Sequence, residues 1–197
     1  MPPLSPLTQA LLLINVGMYF LDQLMHGVLT QWLALWPLGT NFLPFQVVTY
    51  AFLHGSFGHL FFNMLGLWMF GSELERVWGA RRYIEYYFAS VLSAAAAQLL
   101  VTALLGSPYP TIGASGGLFG LLLAFAMMFP NRTIMLLLPP IPMKAKTFVM
   151  LYGGLELILG VTGTQEGVAH FAHLGGMLGG YLMIRYWRGQ PPFGRRR

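Results

Sequence analysis

Long apolar stretches alternate with short polar gaps along this chain, a pattern that predicts helices crossing a lipid bilayer. A bilayer core needs about 20 mostly apolar residues per helix. Six stretches meet or approach that length: Leu7–Leu24, Phe57–Phe70, Tyr83–Leu105, Thr111–Phe129, Thr147–Val161 and Val168–Trp187. The second and fifth are short, and we expect backward extensions through Val47–Leu53 and Ile141. The pattern predicts an all-α, polytopic membrane helix bundle with six transmembrane helices, forming one domain over residues 1–197.

The segment between the first two stretches is too irregular to span. It runs from Thr30 to Val48, is interrupted by Pro37 and Pro44, and carries Trp32 and Trp36. Tryptophan favours the membrane–water interface. We therefore expect a partly embedded interfacial loop between spans one and two.

Composition agrees with a membrane protein, since 56% of the residues are hydrophobic and 9% are charged, whereas soluble domains carry about 25% charged residues. The absence of cysteine excludes a thiol nucleophile, thiolate metal sites and disulfides. No Lys or Arg precedes the apolar run at Leu7, so this run predicts a first span rather than a cleaved signal peptide.

The basic residues lie in alternate gaps between the stretches. Arg76, Arg81 and Arg82 follow the second stretch, Arg132, Lys144 and Lys146 follow the fourth, and Arg185, Arg188, Arg195, Arg196 and Arg197 lie at or beyond the end of the sixth. The positive-inside rule then predicts an even number of spans and both termini in the cytoplasm. Because these basic residues lie in short loops between spans, we do not expect a nucleic-acid role. The compact chain would suit the plasma membrane of a prokaryote.

Polar residues inside predicted spans indicate function, because a bilayer makes them costly. His59 and Asn63 in span two are four residues apart and share a helix face. Ser115 lies about 6 Å into span four and His173 about 8 Å into span six, at 1.5 Å per residue. Spans two, four and six all run from outside to inside, so these side chains should lie at one depth.

Glycines lie close to both Ser115 and His173 in the sequence. Small residues four apart let membrane helices approach closely, and such pairs occur as Gly116 and Gly120 in span four and Gly176 and Gly180 in span six. The pairs predict that spans four and six pack together, which would bring Ser115 and His173 into contact.

A serine beside a neutral histidine is the usual arrangement for nucleophilic catalysis near pH 7. We expect Ser115 as nucleophile and His173 as its general base. Oxyanion donors would come from His59, Asn63 and the Ser115 backbone N–H. Because Glu166, in a predicted loop, is the one carboxylate near this depth, we expect a Ser–His dyad rather than a triad.

Three motifs carry a family resemblance. They are H-x-x-x-N over His59–Asn63, G-x-S-G over Gly113–Gly116, and A-H-x-x-G-x-x-x-G over Ala172–Gly180. Together they resemble the rhomboid intramembrane proteases, and the similarity runs from about residue 45 to 180. It implies cleavage of transmembrane protein substrates near the outer membrane face, within a water-filled cavity and without metal or cofactor.

The resemblance also implies roles for neighbouring residues. Phe119 matches an aromatic residue that packs on the catalytic histidine, and Gly113 supports the serine loop. His54 matches a family position, for which we expect a hydrogen-bonding tether of the loop before span two. One departure is Phe45-Gln46 where the family often has Trp-Arg, so the resemblance does not carry over the family's anchoring of the interfacial loop.

Several residues allow a second interpretation. His170 also follows an alanine, but the glycines three and seven residues after His173 favour the latter as base, leaving His170 beside the base or facing the loop. A histidine metal site is disfavoured because no carboxylate joins the histidines at ligand spacing. Glu156 in span five receives no role, and Glu73 with Glu75 predicts a charge network with nearby arginines.

Two other functions remain open. A catalytically silent rhomboid-like protein would bind membrane proteins without cleaving them, although such a protein would be expected to lack the serine or the histidine. A transporter would use the polar face of His59, Asn63, Ser115 and His173 as a solute path. The chain has no internal repeat and its polar residues share one depth, which disfavours a transporter. The sequence predicts no oligomeric state.

Overall fold

A computed structural model describes residues 3–135, 140–162 and 169–194, which form a helix bundle with one β-hairpin. The helices are α1 (Pro6–Leu24), α2 (Val28–Leu33), α3 (Gln46–Thr49), α4 (Phe57–Gly66), α5 (Ser72–Leu105), α6 (Ser115–Met128), α7 (Ala145–Thr162) and α8 (His170–Trp187). A 3-10 turn (Tyr50–Phe52) follows α3, a π-helical turn (Leu67–Gly71) joins α4 to α5, and strands β1 (Thr133–Met135) and β2 (Pro142–Lys144) pair antiparallel. The hairpin departs from the all-α expectation. Val168, Glu166 and Arg195–Arg197 lie outside the described residues.

The described helices suit a lipid environment. Three segments are long and apolar enough to cross a bilayer, Pro6–Leu24, Phe57–Leu105 and Ala145–Thr162, and α6 is a shorter apolar helix. Large apolar side chains such as Leu104 and Val161 are exposed on the bundle's outer surface. An apolar outer surface of this kind is stable against lipid rather than water.

The helix of the second apolar stretch extends forward along the chain. The Ser56 hydroxyl accepts a hydrogen bond from the His59 amide at 3.1 Å and caps the start of α4. Beyond Gly66 the helix continues through the π turn into α5, until Gly79 interrupts it with φ of 77° and ψ of 163°. The expected backward extension through Val47–Leu53 is wrong, because the cap fixes the start and those residues form separate short turns.

Two glutamates near the start of α5 have different surroundings. Glu75 is buried and accepts hydrogen bonds from the amide and hydroxyl of Thr8, both at 2.8 Å, which satisfies the first turn of α1. Glu73 pairs with Arg76 at 2.7 Å and with Arg132 at 3.0 Å. The predicted charge network is therefore correct for Glu73 and wrong for Glu75, whose carboxylate docks α1 onto α5.

The side chain of Gln46 organises the loop between α2 and α3. Its Oε1 accepts hydrogen bonds from the amides of Leu43 at 3.1 Å and Trp36 at 3.3 Å. Its Nε2 donates to the carbonyls of Trp32 at 3.0 Å and Asn41 at 3.2 Å. At this position, where the resemblance implies an arginine, one buried glutamine joins four points of the chain between Trp32 and Leu43.

The segments before α6 and α7 are not helical. Thr111 and Leu35 each donate an amide hydrogen to the other's carbonyl at 2.9 Å, so the chain is extended there and α6 begins only at Ser115. Ile141 precedes a strand rather than extending α7, since Pro142 cannot donate the hydrogen bond that a helix interior needs. The expected start of span four at Thr111 and the extension of span five through Ile141 are both wrong.

Close glycine contacts join the central helices α5, α6 and α8. A Cβ atom at Gly176 would overlap the carbonyl oxygen of Gly116, and one at Gly120 would lie 3.1 Å from the carbonyl oxygen of Gly176. A Cβ atom at Gly180 would instead meet the Tyr86 hydroxyl of α5. The predicted close approach of α6 and α8 is confirmed for the first three glycines and wrong for Gly180.

Candidate active site

Ser115 is the first residue of α6 and follows a loop with a fixed backbone. The Gly113 amide donates to the Tyr50 carbonyl at 2.9 Å. Gly113 has φ of +129°, and a Cβ atom there would lie 2.8 Å from two ring atoms of His59, so this position requires glycine. The estimate that places Ser115 about a turn inside the helix is therefore wrong, and its amide belongs to the first turn, which has no intrahelical acceptor.

The His173 side chain faces this serine. Its Nε2 atom lies 2.8 Å from Ser115 Oγ. The ring of Phe119, one turn after Ser115, stacks on the imidazole with centroids 4.3 Å apart and an interplanar angle of 3°. A hydroxyl donating to a neutral imidazole nitrogen is positioned for loss of its proton. The structure thus brings Ser115, His173 and Phe119 together.

A carboxylate contacts the other side of this imidazole. Glu156 Oε2 lies 2.9 Å from Nδ1 of His173 and 2.6 Å from Nδ1 of His170. Glu156 is 7% exposed and His170 is 5% exposed. The expectation of a dyad with no carboxylate in reach is therefore wrong, and His170 lies beside the base rather than facing the loop.

The expected oxyanion residues line the cavity that contains Ser115 and His173. This cavity has a volume of about 680 Å³, and His59 and Asn63 form part of its wall. The Asn63 side-chain nitrogen donates to the His59 carbonyl at 2.8 Å, which leaves its second N–H for another acceptor. Together with the first-turn amides of α6, these groups offer donors to a negative charge formed beside Ser115.

His54 lies behind His59 and does not anchor the preceding loop through hydrogen bonds. It is 2% exposed, and neither ring nitrogen has a hydrogen-bond partner among the described residues. Its ring contacts the His59 ring edge to face, with centroids 4.9 Å apart. Burial, with a smaller effect of His59, lowers the pKa of His54 to about 3. The expected tether is wrong, and His54 is a neutral ring that packs against His59.

Among the residues that the structure describes, one side-chain cluster has the geometry to hold a metal ion. The ligand atoms of Glu156, His170 and His173 all lie within 4.8 Å of one another. The expectation that no carboxylate joins the histidines is therefore wrong, since Glu156 lies beside both of them.

Comparison with known proteins places the chain in a family. The sequence profile described as "Rhomboid domain" matches residues 41–189, which is more than half of the chain. The chain belongs to the rhomboid family. Together with the apolar helices, this membership identifies an integral membrane protein, a helical bundle of the rhomboid type.

Relatives of this rhomboid chain occur in bacteria and in mitochondria. "Rhomboid protein 1, mitochondrial" of Saccharomyces cerevisiae is 33% identical over 148 residues, covering 70% of this chain and 40% of that protein. "Rhomboid protease GluP" of Bacillus subtilis is 29% identical over 143 residues, covering 70% and 25%. "Rhomboid protease GlpG" of Yersinia enterocolitica is 27% identical over 190 residues, covering 93% and 63%. The chain thus spans between a quarter and just under two thirds of these relatives' lengths.

The sequence of this rhomboid chain does indicate that Glu156 could reach His173, if its position is counted from the C-terminal end of α7. Glu156 lies six residues before Thr162, the last residue of α7, which is about 9 Å of helix. His173 lies about 8 Å after Val168, the start of span six that the sequence predicts. Counted from the ends of α7 and span six that the chain joins, the two side chains share one level, whereas counted from Ala145 Glu156 resembles an isolated charge in mid-helix.

Proposed function

We propose that this chain is an intramembrane serine endopeptidase that cleaves transmembrane segments of membrane proteins near the outer membrane face. The observation that supports this most directly is the 2.8 Å distance between Ser115 Oγ and His173 Nε2. Membership of a family in which several relatives are named rhomboid proteases adds to it. The reaction as proposed uses no metal and no cofactor.

The proposed reaction is acyl transfer through the serine. His173 Nε2 takes the Ser115 proton as Oγ attacks the scissile carbonyl, and the same proton then passes to the leaving amine. The tetrahedral oxyanion is stabilised by the Ser115 amide and by side chains of Asn63 and His59. A water molecule activated by His173 hydrolyses the resulting acyl-enzyme. Water must enter from the cavity, because the bilayer core supplies none.

We place the protein in the membrane with six spans and both termini in the cytoplasm. Arg132 after α6 pairs with Glu73 near the start of α5, and Arg82 of α5 lies 5.7 Å from the ring centre of Trp187 at the end of α8. These contacts gather basic residues at one end of the bundle. Ser115, at the start of α6, lies at the other end, which the positive-inside rule assigns to the outer face.

The substrate in this proposal is itself a membrane helix. Its backbone carbonyls accept i to i−4 hydrogen bonds, so the scissile carbonyl reaches Ser115 only after the outer turns unwind. Glycine in those turns lowers helix stability by about 1 kcal/mol per residue relative to alanine. Substrates with glycine in their outer turns should therefore be cleaved faster than leucine-rich ones.

The test is cleavage of a single-span substrate by purified enzyme in liposomes. Wild type is compared with Ser115→Ala, His173→Ala and the double variant, using two substrates that differ only in glycine or leucine in the outer turns. Both single variants should lose cleavage, and the double variant should be no worse than either, because the two groups act as a unit. His26→Asn is the control, since His26 is exposed and asparagine tolerates its positive φ.

Each alternative has its own outcome. Wild-type protein that retains the substrate without producing fragments would support a silent binder. Activity in His173→Ala together with none in His170→Ala would show that His170, and not His173, is the general base. Equal cleavage rates for the two substrates would remove the unwinding step while leaving the chemistry of Ser115 intact.

A further inference from the structure

Two histidines share one carboxylate oxygen behind the proposed catalytic pair. Glu156 Oε2 lies 2.9 Å from Nδ1 of His173 and 2.6 Å from Nδ1 of His170. An ionised carboxylate can only accept hydrogen bonds, so each Nδ1 carries a proton and donates it. His173 then has its free lone pair on Nε2, the atom 2.8 Å from Ser115 Oγ. This is the tautomer that can accept the serine proton.

We propose that Glu156 is a positioning residue that holds His173 in this tautomer, and that His170 positions Glu156. The inference rests on the proposed function, since it concerns how the same base is prepared. In the reaction the serine proton moves from Oγ to Nε2 and later to the leaving amine. The Nδ1 proton stays on His173, and Glu156 remains ionised throughout.

The charge of Glu156 has a second effect. When Nε2 takes the proton, the imidazole becomes a cation 2.9 Å from a carboxylate oxygen. Both groups are largely shielded from water, with Glu156 7% exposed, and attraction between opposite charges is stronger in such surroundings than in solvent. The carboxylate therefore stabilises the imidazolium that forms in the transition state.

His170 offsets the cost of burying that carboxylate. An ionised carboxylate away from water is unfavourable unless hydrogen bonds satisfy it. His170 and His173 are three residues apart on α8 and present their Nδ1 atoms to the same oxygen. Gly160 of α7 allows this approach, because a Cβ atom there would lie 3.2 Å from the Cβ of His170.

The experiment measures kcat and KM of the full chain in liposomes for Glu156→Gln. The amide has the same shape, but its N–H can donate to Nδ1 of His173 and favour the opposite tautomer, which cannot accept the serine proton. We expect kcat to fall about 100-fold to 10,000-fold, with KM changed by less than about threefold. Glu85→Gln is the matched control, because Glu85 contacts Arg81 on the exposed face of α5, and it should keep wild-type kinetics.

A second pair of variants tests His170. His170→Ala removes the donor and should lower kcat about 10-fold or more. His170→Asn places an amide N–H near the position of Nδ1 and should restore kcat to within a few-fold of wild type. Rates are normalised to monodisperse protein. A purely structural role would therefore leave kcat per folded molecule unchanged, and that result would overturn the inference.

The outcomes separate this inference from the function on which it rests. An inert Ser115→Ala enzyme beside a fully active Glu156→Gln enzyme overturns the positioning role and leaves the protease intact. An active Ser115→Ala enzyme overturns the proposed function itself. The three side chains also have the geometry of a metal site, so a chelator is added to wild type. Activity lost to the chelator and restored by Zn²⁺ would overturn the positioning role, whereas unchanged activity supports it.

Discussion

The backbone geometry at Ser115 favours a negative charge beside this residue as well as its contact with His173. The serine is the first residue of α6, so its amide lies at a helix N-terminus, where free N–H groups and the helix dipole favour negative charge. Gly113 makes this possible, since only glycine fits beside the His59 ring with that backbone conformation. A negative charge formed at the scissile carbonyl would therefore meet donors already in place.

Asn63 should contribute measurably to oxyanion stabilisation without being indispensable. Asn63→Ala should lower kcat about 10-fold to 1000-fold, the usual effect of losing one oxyanion donor. The fall should stay partial because the Ser115 amide and His59 remain. Steady-state cleavage in liposomes measures it, with Asn131→Ala, an exposed asparagine, as control. An Asn63→Ala enzyme as fast as wild type would remove this residue from the mechanism.

At this scale the sequence predicted the residues whose motifs have fixed spacing. Ser115, Phe119 and His173 were placed together by glycine patterns and resemblance, and they lie together. Glu156 could not be assigned in this way, because its partners are on another helix and spacing along α7 does not reveal which side chain it meets. His54 was misassigned for the same reason, since its contact with His59 is a ring contact and not a hydrogen bond.

Among the elements, the loop between α2 and α3 receives four hydrogen bonds from one side chain. Gln46 bonds to three backbone groups of that loop and to the Trp32 carbonyl at the end of α2. Gln46→Ala should leave those groups without their partner and lower the free energy of unfolding by about 1–3 kcal/mol. For a chain of this size that corresponds to a fall in Tm of roughly 3–10 °C.

The measurement is the thermal unfolding of purified protein in detergent. Gln31→Ala is the control, because Gln31 is an exposed glutamine in the neighbouring helix α2. An unchanged Tm for Gln46→Ala would show that other contacts anchor the loop, such as the hydrogen bond of 2.7 Å from the Thr49 hydroxyl to the Leu33 carbonyl.

Element boundaries were harder to predict than the apolar stretches themselves. Hydropathy located α1 and α7 to within two residues, but it missed the continuation of the second helix beyond Phe70 into α5. The charged residues at the start of α5 suggested that the helix ends there. In the structure the helix continues, because these residues form ion pairs or, like Glu75, are buried with hydrogen-bond partners. The sequence of the hairpin β1–β2 has no alternation of apolar and polar residues that would predict strands. The hairpin is recognised only from the backbone pairing of Ile134 with Met143 in the structure.

For the molecule as a whole, the proposed orientation can be read from accessibility. The chain has no cysteine, so single cysteines can be introduced without background. Cysteines at Ser107 and Tyr109, near the active-site end, should react with an impermeant maleimide added to intact cells. Those at Ala80 and Asn131, beside the basic residues, should react only after permeabilisation. The reverse pattern would invert the orientation and move the active site to the inner face.

Covalent labelling is the direct test of whether Ser115 is a nucleophile activated by His173. Purified protein in liposomes is treated with a fluorophosphonate, and the modified residue is located by peptide mass spectrometry. We expect one adduct on Ser115, none in Ser115→Ala and greatly slowed labelling in His173→Ala. An adduct on another residue, or equal labelling of wild type and Ser115→Ala, would contradict it.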